Sequence, residues 1–312
     1  MTAKPKSRAK PKTRDDAGST RPRVVVVAKR TAYRYFVEDA KDPRAKALLR
    51  KHDPAVSTWL DAHREHVRTL EAVERTLSRA GVNVFLIERA HAAFDPADAE
   101  LVIAVGGDGT LLAASHSVSR TPILGVNSAP RHSVGFFCAA ERSTFARMFD
   151  QAMEGRIKSV PLTRMSVSVN GRVRANRILN EALYCHASPA ATSRYIICQG
   201  KVREEQRSSG VWIGPAAGST AAQRSAGGKV LPLASRALQL VVREPYTPSH
   251  RRYKLVKFLI DEGDSVRIDS KMDNASVFFD GPYREVPVRL GDSVSFTASD
   301  EPLSVLGLGR RK

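Results

Sequence analysis

Short apolar runs alternate with helical periodicity in the first half of the chain. The run Val24–Ala28 is β-branched and uninterrupted, which predicts a strand buried on both faces. From Ala55 to Ala80 apolar residues recur at intervals of three and four, which predicts one long helix that ends at Gly81. We also predict strands at 82–87, 101–105 and 122–126, and helices at 110–118 and 143–154. This order is typical of a Rossmann-like α/β domain with a parallel sheet.

The second half of the chain has a different pattern. Met165–Val169 alternates strictly between apolar and polar residues, and Asn170-Gly171 then predicts a two-residue hairpin turn. One helical segment is predicted at 219–227, directly after a glycine. Further short strands are predicted at 193–199, 211–214, 237–242, 264–269, 276–280 and 293–298. The pattern predicts a mostly β domain built as a β-sandwich.

Charge is distributed unevenly along the chain. The net charge is +18, and residues 1–23 hold eight basic and two acidic side chains in a stretch poor in apolar residues. This composition predicts a disordered tail. The remaining basic surface would steer an anionic small molecule as well as a nucleic acid. We predict a disordered basic tail at 1–22, an α/β domain at 23–155, a β-rich nucleotide-binding domain at 156–300 and a C-terminal tail at 301–312.

Cysteine usage and apolar content indicate the compartment. Cys138, Cys185 and Cys198 form no CxxC pair, which argues against a disulfide framework or a Cys-rich zinc site and suits a reducing compartment. No apolar run approaches the roughly 18 residues of a membrane span, and the basic tail lacks the apolar segment of a signal peptide. We therefore expect a cytoplasmic protein without membrane contact.

The first candidate for chemistry is the glycine-rich stretch after the third predicted strand. In LVIAVGGDGTLL, residues 101–112, the strand ends at Gly106-Gly107-Asp108-Gly109-Thr110. Glycines allow the backbone to approach an anion, and the helix that follows favours negative charge at its first turn. A Walker P-loop is absent, so phosphate would be held by backbone amides and Thr110. Asp108 would then accept a proton from an attacking hydroxyl or hold Mg²⁺. The alternative is that Asp108-Gly109 is only a tight turn.

Four motifs together resemble the NAD kinases. GGDGT continues into Leu111-Leu112-Ala113-Ala114, whereas lipid kinases of the diacylglycerol type continue into Asn-Glu. The other three motifs of the family are matched, in order, by Leu179-Asn180-Glu181, by Gly218-Ser219-Thr220-Ala221-Ala222 with Ser225-Ala226-Gly227-Gly228, and by Phe279-Asp280-Gly281. The resemblance covers about residues 22–300.

Within the family, the sequence is most similar to the animal mitochondrial-type branch. The stretches that carry this similarity are Arg23–Lys29, Gly125-Val126-Asn127 with Pro130-Arg131, Arg207-Ser208-Ser209-Gly210 and Arg243-Glu244-Pro245.

The resemblance implies ATP-dependent phosphorylation of the adenosine ribose 2′-hydroxyl of NAD, giving NADP. Asp108 would be the general base, and Gly106, Gly107, Gly109 and Thr110 would hold the ATP phosphates. Asn180 would contact the base edge and Glu181 the ribose hydroxyls, since Asn offers a donor and an acceptor while Glu accepts twice. The further NAD-binding residues implied are Gly218, Ser219, Thr220, Ala221, Ser225, Phe136 and Asn127. For Phe136, a place in the core is an equally good interpretation, and Ser219 or Thr220 would also suit a helix cap.

This sequence departs from the family pattern on the acceptor side. Ala222 stands where most members have a tyrosine that stacks on the dinucleotide, and Ser209-Gly210 replaces an Asp-Gly. Gly214-Pro215-Ala216-Ala217 replaces a Thr-Pro-Thr run. These differences weaken the assignment of NAD as acceptor more than the assignment of phosphoryl transfer.

The resemblance also implies Mg²⁺ with ATP, near Asp108, no tightly bound organic cofactor, and a homodimer or higher homo-oligomer. Two alternatives stay open: a GGDGT-type kinase of another acceptor, a nucleoside or a lipid, or a catalytically silent nucleotide-binding regulator whose basic tail contacts nucleic acid. Retention of Asp108 argues against the regulator. His63 and His66 lie three apart on a predicted helix without the other residues of a metal site, so we interpret them as a packed or solvated pair.

Overall fold

The protein is described by a computed structural model over residues 21–88, 93–247 and 252–309. The predicted basic tail at 1–22 therefore lies outside the described residues except for its last two positions. The strands are β1 (Arg23–Ala28), β2 (Asn83–Ile87), β3 (Leu101–Gly106), β4 (Ile123–Asn127), β5 (Cys138–Glu141), β6 (Ser159–Leu162), β7 (Met165–Val169), β8 (Arg172–Ile178), β9 (Ala182–His186), β10 (Ser193–Gln199), β11 (Val202–Ser208), β12 (Gly210–Gly214), β13 (Leu238–Arg243), β14 (Lys257–Ile260), β15 (Ser265–Ser270), β16 (Ala275–Phe279), β17 (Glu285–Val288), β18 (Ser293–Ala298) and β19 (Leu303–Leu306).

Five α-helices accompany these strands in the described ranges, together with three segments of other helical types. The α-helices are α1 (Pro43–Arg50), α2 (Trp59–Arg79), α3 (Asp108–Ser115), α4 (Phe145–Met153) and α5 (Ala222–Ser225). The shorter segments are a π-helical turn at Arg34–Asp39 and 3₁₀ turns at Pro54–Val56 and Ala216–Thr220. No helix in the described ranges is long and apolar enough to cross a membrane.

The first sheet is the predicted parallel sheet. Its order is β2-β1-β3-β4-β19-β6, and β5 also pairs with β4. All its pairs are parallel except that of β6 with β19. The alternating side chains of β1 enter two different cores, because Val24 and Val26 face α2 and α4 while Val25 and Val27 face α3. Both faces are thus covered, as the uninterrupted valine run predicts.

The second half forms two antiparallel sheets of six strands each. Their orders are β11-β10-β15-β18-β7-β8 and β14-β13-β12-β9-β16-β17. Inward-facing residues of both sheets build one core that includes Val167, Tyr184 and Phe296. At the predicted hairpin, Asn170 and Gly171 have φ of +51° and +75°, the left-handed values that this tight turn requires. The expected combination of an α/β domain and a β-sandwich is confirmed.

The structure differs from the predicted domain limits near the C-terminus. Residues 301–312 were expected as a tail, yet β19 lies in the first sheet between β4 and β6. Leu303 and Val305 are fully buried there, in the core beneath α3. The strand β6 also belongs to this sheet rather than to the β-rich domain, so the two-sheet unit is inserted into the α/β domain. Both strands have only four residues, too few to show a clear period.

Two helix predictions need smaller corrections. The helix expected at 110–118 runs from Asp108 to Ser115, so Asp108 is its first residue rather than part of the preceding loop. The helix expected at 219–227 is divided into the 3₁₀ turn Ala216–Thr220 and the short α5, with Ala221 between them. As a result, Asp108 is part of a helix, whereas Ala221 is not.

Candidate active site

The phosphate-loop candidate lies where β3 ends and α3 begins, at the carboxyl edge of the parallel sheet. A Cβ on Gly106 would lie 2.0 Å from Thr110 Oγ1, and a Cβ on Gly107 would lie 2.4 Å from Ser133 Oγ. A Cβ on Gly109 would meet no protein atom within 4 Å. The first two glycines are therefore required by internal packing, whereas Gly109 faces open space. Open parallel sheets bind their ligands at this edge.

Thr110 is less accessible than the sequence predicts. Its side chain packs against Gly106 and the residue is 5% exposed. The amides of Thr110 and Leu111 both donate to the Gly107 carbonyl. The amides of Asp108 and Gly109 precede them in the first turn of α3, where a helix supplies no acceptor of its own. They are the donors that this helix start offers to an anion.

Both carboxylate oxygens of Asp108 accept hydrogen bonds from backbone amides. Phe136 N lies 2.9 Å from Oδ2, and Phe137 N lies 2.8 Å from Oδ1. The carboxylate is thereby fixed between the start of α3 and the chain that follows β4. Each carboxylate oxygen can accept a second hydrogen bond, so Asp108 retains acceptor capacity toward a ligand.

Asn127 shapes the segment that leads to these two amides. It is buried at the end of β4, and its Nδ2 donates to Ser133 O over 2.9 Å. Gly135 has φ of +60° and packs directly on the Asn127 side chain, where a Cβ would lie 2.5 Å from Nδ2. Phe136 comes next and is 41% exposed, with its ring edge-on to Phe137. Phe136 is therefore not a core residue, and Asn127 supports the loop from inside.

On the acceptor side, Asp280 holds the backbone of the Asn-Glu segment. Asp280 Oδ1 accepts from the amides of Asn180 at 2.7 Å and Glu181 at 3.2 Å, and Oδ2 accepts from Leu179 N at 2.9 Å. The Asp280 amide donates back to Glu181 O over 3.0 Å. The Asp280 side chain is 1% exposed. The predicted Asp-Gly turn thus positions the Asn-Glu segment through four hydrogen bonds.

Glu181 carries an unsatisfied buried carboxylate. The residue is 9% exposed, and its Oε2 has no hydrogen-bond partner among the described residues. Burial, and secondly the nearby charge of Asp280, raise the pKa of Glu181 to about 7. A buried polar atom without a partner is costly unless a ligand completes it. Ribose hydroxyls are donors of the kind that this oxygen lacks.

The glycine-rich turn packs on the Asn180 peptide. A Cβ on Gly218 would lie 1.6 Å from Asn180 O, and one on Gly214 would lie 2.5 Å from the same atom. The Ser219 hydroxyl is fully buried, donates to Ala216 O and accepts from Leu231 N. Ser219 thus fixes the turn internally, whereas Thr220 and Ser225 are exposed and Ala221 is half-buried. The structure brings this turn and the Asn-Glu segment together.

Sequence reasoning missed the residues that join the two sides of the site. His116 follows α3 as its C-cap, and its Nε2 lies 2.8 Å from Asp280 Oδ2, close but not aligned as a hydrogen bond. Arg164 is fully buried and donates to Ser115 O and Val118 O at the end of α3. Burial lowers the pKa of Arg164 to about 10, so it stays charged at neutral pH. No local spacing in the sequence indicates contacts between residues so far apart.

The histidine pair on α2 is packed, as predicted. His63 Nδ1 lies 2.8 Å from Thr31 Oγ1, and His66 Nδ1 lies 2.9 Å from Ser128 Oγ. Burial, followed by the charge of Lys29, lowers the pKa of His66 to about 4. No group of three or more His, Cys, Asp and Glu in the described part of the chain could hold a metal ion.

Several known proteins similar to this chain are NAD or NADH kinases. Residues 15–157 match the family model of the ATP-NAD kinase N-terminal domain. Over 278 residues the chain is 34% identical to the probable NADH kinase of Oryza sativa subsp. japonica, across 82% of this chain and 85% of that protein. Human mitochondrial NAD kinase 2 is 36% identical over 152 residues, which are 46% of this chain and 34% of that protein.

A solved structure shares the fold. The NAD kinase from Archaeoglobus fulgidus in complex with ATP superposes with a TM-score of 0.66 and 20% sequence identity, over 92% of this chain and 94% of that chain. The agreement extends over both the α/β domain and the β-rich domain, because nearly all of each chain is covered.

Proposed function

The chain belongs to the NAD kinase family, and from this premise we propose that it transfers the terminal phosphoryl group of ATP to the adenosine ribose 2′-hydroxyl of NAD or NADH. The reacting hydroxyl lies on the adenosine half, which NAD and NADH share. The oxidation state of the nicotinamide therefore leaves the chemistry unchanged. A relative with the name of an NADH kinase supports including both acceptors.

The observation that carries the proposal is the fixed carboxylate of Asp108 at the first turn of α3. Asp108 would accept the 2′-hydroxyl proton while the ribose oxygen bonds to phosphorus and the bond from phosphorus to the ADP oxygen breaks. The products are ADP and NADP or NADPH. The free amides at the start of α3 would stabilise the charge on the transferring group, and Gly109 leaves open space in front of them.

On the acceptor side, Glu181 would bind ribose hydroxyls through its unsatisfied oxygen, and the exposed ring of Phe136 would pack against the nucleotide. Mg²⁺ bound with ATP would supply charge neutralisation of the phosphates. Asp108 would contribute one ligand to this ion, and phosphate and water would contribute the others. Homo-oligomer formation and a cytoplasmic location stay predictions.

The test is formation of NADP and NADPH by purified protein with ATP and Mg²⁺, in wild type and Asp108→Asn. Positioned proton acceptance is worth about 10²–10⁴ in rate, so we expect kcat to fall by that factor in the variant. Equilibrium binding of NAD should persist, which shows that the folded acceptor site is retained. Unchanged product formation by Asp108→Asn would falsify the role of Asp108.

One feature favours a substrate other than NAD(H): the residues that would contact the acceptor differ from the family pattern. Ala222 supplies no aromatic ring, and the Ser209 hydroxyl contacts the Glu244 carboxylate. Parallel assays with nucleosides and diacylglycerol therefore belong in the same experiment. If one of these is phosphorylated and NAD(H) is not, a kinase of another acceptor replaces the proposal. RNA or DNA binding that requires residues 1–23, without kinase activity, would instead establish the regulator.

A further inference from the structure

A buried contact connects the helix that begins at Asp108 with the turn that holds the acceptor segment. His116 is the C-cap of α3, and Asp280 directly follows β16. The His116 Nε2 atom lies 2.8 Å from Asp280 Oδ2, and the two side chains are 8% and 1% exposed. Three backbone amides already donate to the Asp280 carboxylate. His116 Nε2 is a side-chain nitrogen packed against Oδ2 of this buried group, at ion-pair distance.

Asp280 transmits any change at this contact to the nucleotide-binding backbone. Its two oxygens accept the amides of residues 179–181, and its own amide donates to Glu181 O. A shift of the Asp280 carboxylate would therefore move Asn180 and Glu181 together. Because the Asn180 carbonyl packs on Gly218, the glycine-rich turn would move with them.

The other end of α3 carries the proposed general base. His116 lies eight positions after Asp108, which corresponds to about 12 Å along an α-helix. The helix is packed on one side against the acceptor segment, since Leu111 and Ala114 share a core cluster with Leu179 and Ala217. The distance from base to acceptor hydroxyl is thus set by this helix, its packing and its contact with Asp280.

The helix end itself does not depend on the His116 imidazole. Arg164 donates to the carbonyls of Ser115 and Val118, and Arg177 Nη1 donates to His116 O over 3.2 Å. Arg177 also pairs with Glu301 over 2.7 Å. None of these contacts involves the His116 imidazole, so they survive its removal. The charged partner of the His116 imidazole among the described residues is Asp280.

We propose that His116 is a positioning residue for the acceptor, which through Asp280 sets the position of Asn180 and Glu181 relative to Asp108. This inference rests on the proposed function. It assigns His116 to recognition of the adenosine ribose of a dinucleotide rather than to the ATP phosphates, because Asp280 contacts only the acceptor segment among the candidate site residues.

The experiment compares His116→Leu, which removes the ring nitrogens at similar volume, with His116→Gln, which restores a polar N–H group that can face Asp280. The matched control is His186→Leu, on the strand that follows the acceptor segment, where the imidazole accepts from Ser188 N. In His116→Leu we expect the KM for NAD(H) to rise about tenfold while the KM for ATP stays within about twofold. His116→Gln should recover most of the loss, and His186→Leu should behave as wild type.

Two further measurements make the outcome decisive. The Kd for NAD(H), measured by calorimetry without ATP, should rise by the same factor as KM. Combining His116→Leu with Asp280→Asn should add little to Asp280→Asn alone, because both changes act through one contact. Equal losses toward both substrates, or a His116→Leu enzyme that matches His186→Leu, would overturn the inference. Wild-type protein that binds NAD(H) but forms no product would overturn the proposed function alone, and the Kd series would still decide the role of His116.

Discussion

The two carboxylates of the site are held in opposite ways. Asp108, on the phosphate side, has a backbone amide on each oxygen. Glu181, on the acceptor side, is buried with one oxygen unpaired and with its pKa raised to about 7, mainly by burial. The protein therefore fixes the carboxylate that we propose to react and leaves incomplete the carboxylate that we propose to bind the ribose. A group that must be accurately placed is satisfied by the fold, whereas a group that must bind is left for the ligand to complete.

The glycines of the two sides differ in the space around them. Here the acceptor side is the tightly packed one and the phosphate side is the open one. Gly218, on the acceptor side, has no room for a Cβ because Asn180 O would lie 1.6 Å away. Gly109, on the phosphate side, has no atom of the described residues within 4 Å of a Cβ. The first glycine serves the internal packing of the protein. The second leaves space that no described residue fills and that is available to a ligand.

The comparison of carboxylates is tested most strongly by Glu181→Gln. The pKa of Glu181 is raised above its unfolded value, so the stability it contributes is complete below about pH 4.5 and is lost as pH rises through about 7. A glutamine stays neutral. We expect the free energy of unfolding of Glu181→Gln, measured by urea denaturation at pH 8, to be about 3 kcal/mol higher than that of wild type. This stabilisation should disappear near pH 4.5.

Asp108→Asn is the matched control for this prediction. An asparagine amide cannot accept from both Phe136 N and Phe137 N, so this variant should lose about 1–3 kcal/mol at either pH. If both substitutions shift the free energy of unfolding in the same direction, the contrast between the two carboxylates is wrong.

Gly218→Ala tests the acceptor-side packing and should have the next largest effect. The added methyl group forces the 3₁₀ turn away from Asn180, which we expect to cost about 2 kcal/mol of unfolding free energy and to weaken NAD(H) binding. Urea denaturation and calorimetry measure the two losses. Gly263→Ala is not a suitable control because Gly263 has φ of +87°. Gly109→Ala serves instead, as a glycine with ample space.

Gly109→Ala should give the smallest change in stability and the opposite sign. Alanine replaces glycine in the first turn of α3 without a clash, which stabilises a helix by up to about 1 kcal/mol. The methyl group would nevertheless occupy the space in front of the loop amides, so we expect kcat/KM for ATP to fall at least about tenfold. A fully active Gly109→Ala enzyme would show that this space is not the phosphate site.

The fold was largely predictable where the pattern is long or local. The valine run of β1, the periodicity of α2 and the Asn170-Gly171 turn each carry enough local information to define an element. β6 and β19 were missed because each has four residues and is recognised only by its neighbours in the sheet. The order of strands in a sheet is a long-range property, and a single sequence does not display it.

The site was predictable in its motifs but not in its connections. GGDGT and Asn180-Glu181 could be identified from residue types. In the structure, α3, which follows the glycines, shares a core cluster with Leu179 beside Asn180. The role of Asp280 as acceptor for three amides depends on residues about 100 positions apart, and the His116 contact spans a greater separation. For Ser219 the residue type was misleading. A serine hydroxyl can bind a ligand, but this one is hydrogen-bonded to Ala216 O and Leu231 N inside the protein.

The position of β19 has a consequence for biosynthesis. The sheet that carries Asp108 receives this strand between β4 and β6 only after both sheets of the inserted β unit have been translated. Until then, the nascent chain presents an open strand edge beside β4 and an uncovered apolar surface beneath α3, both of which favour aggregation. The parallel sheet can therefore be completed only late in translation, after the ribosome has added Leu303–Leu306.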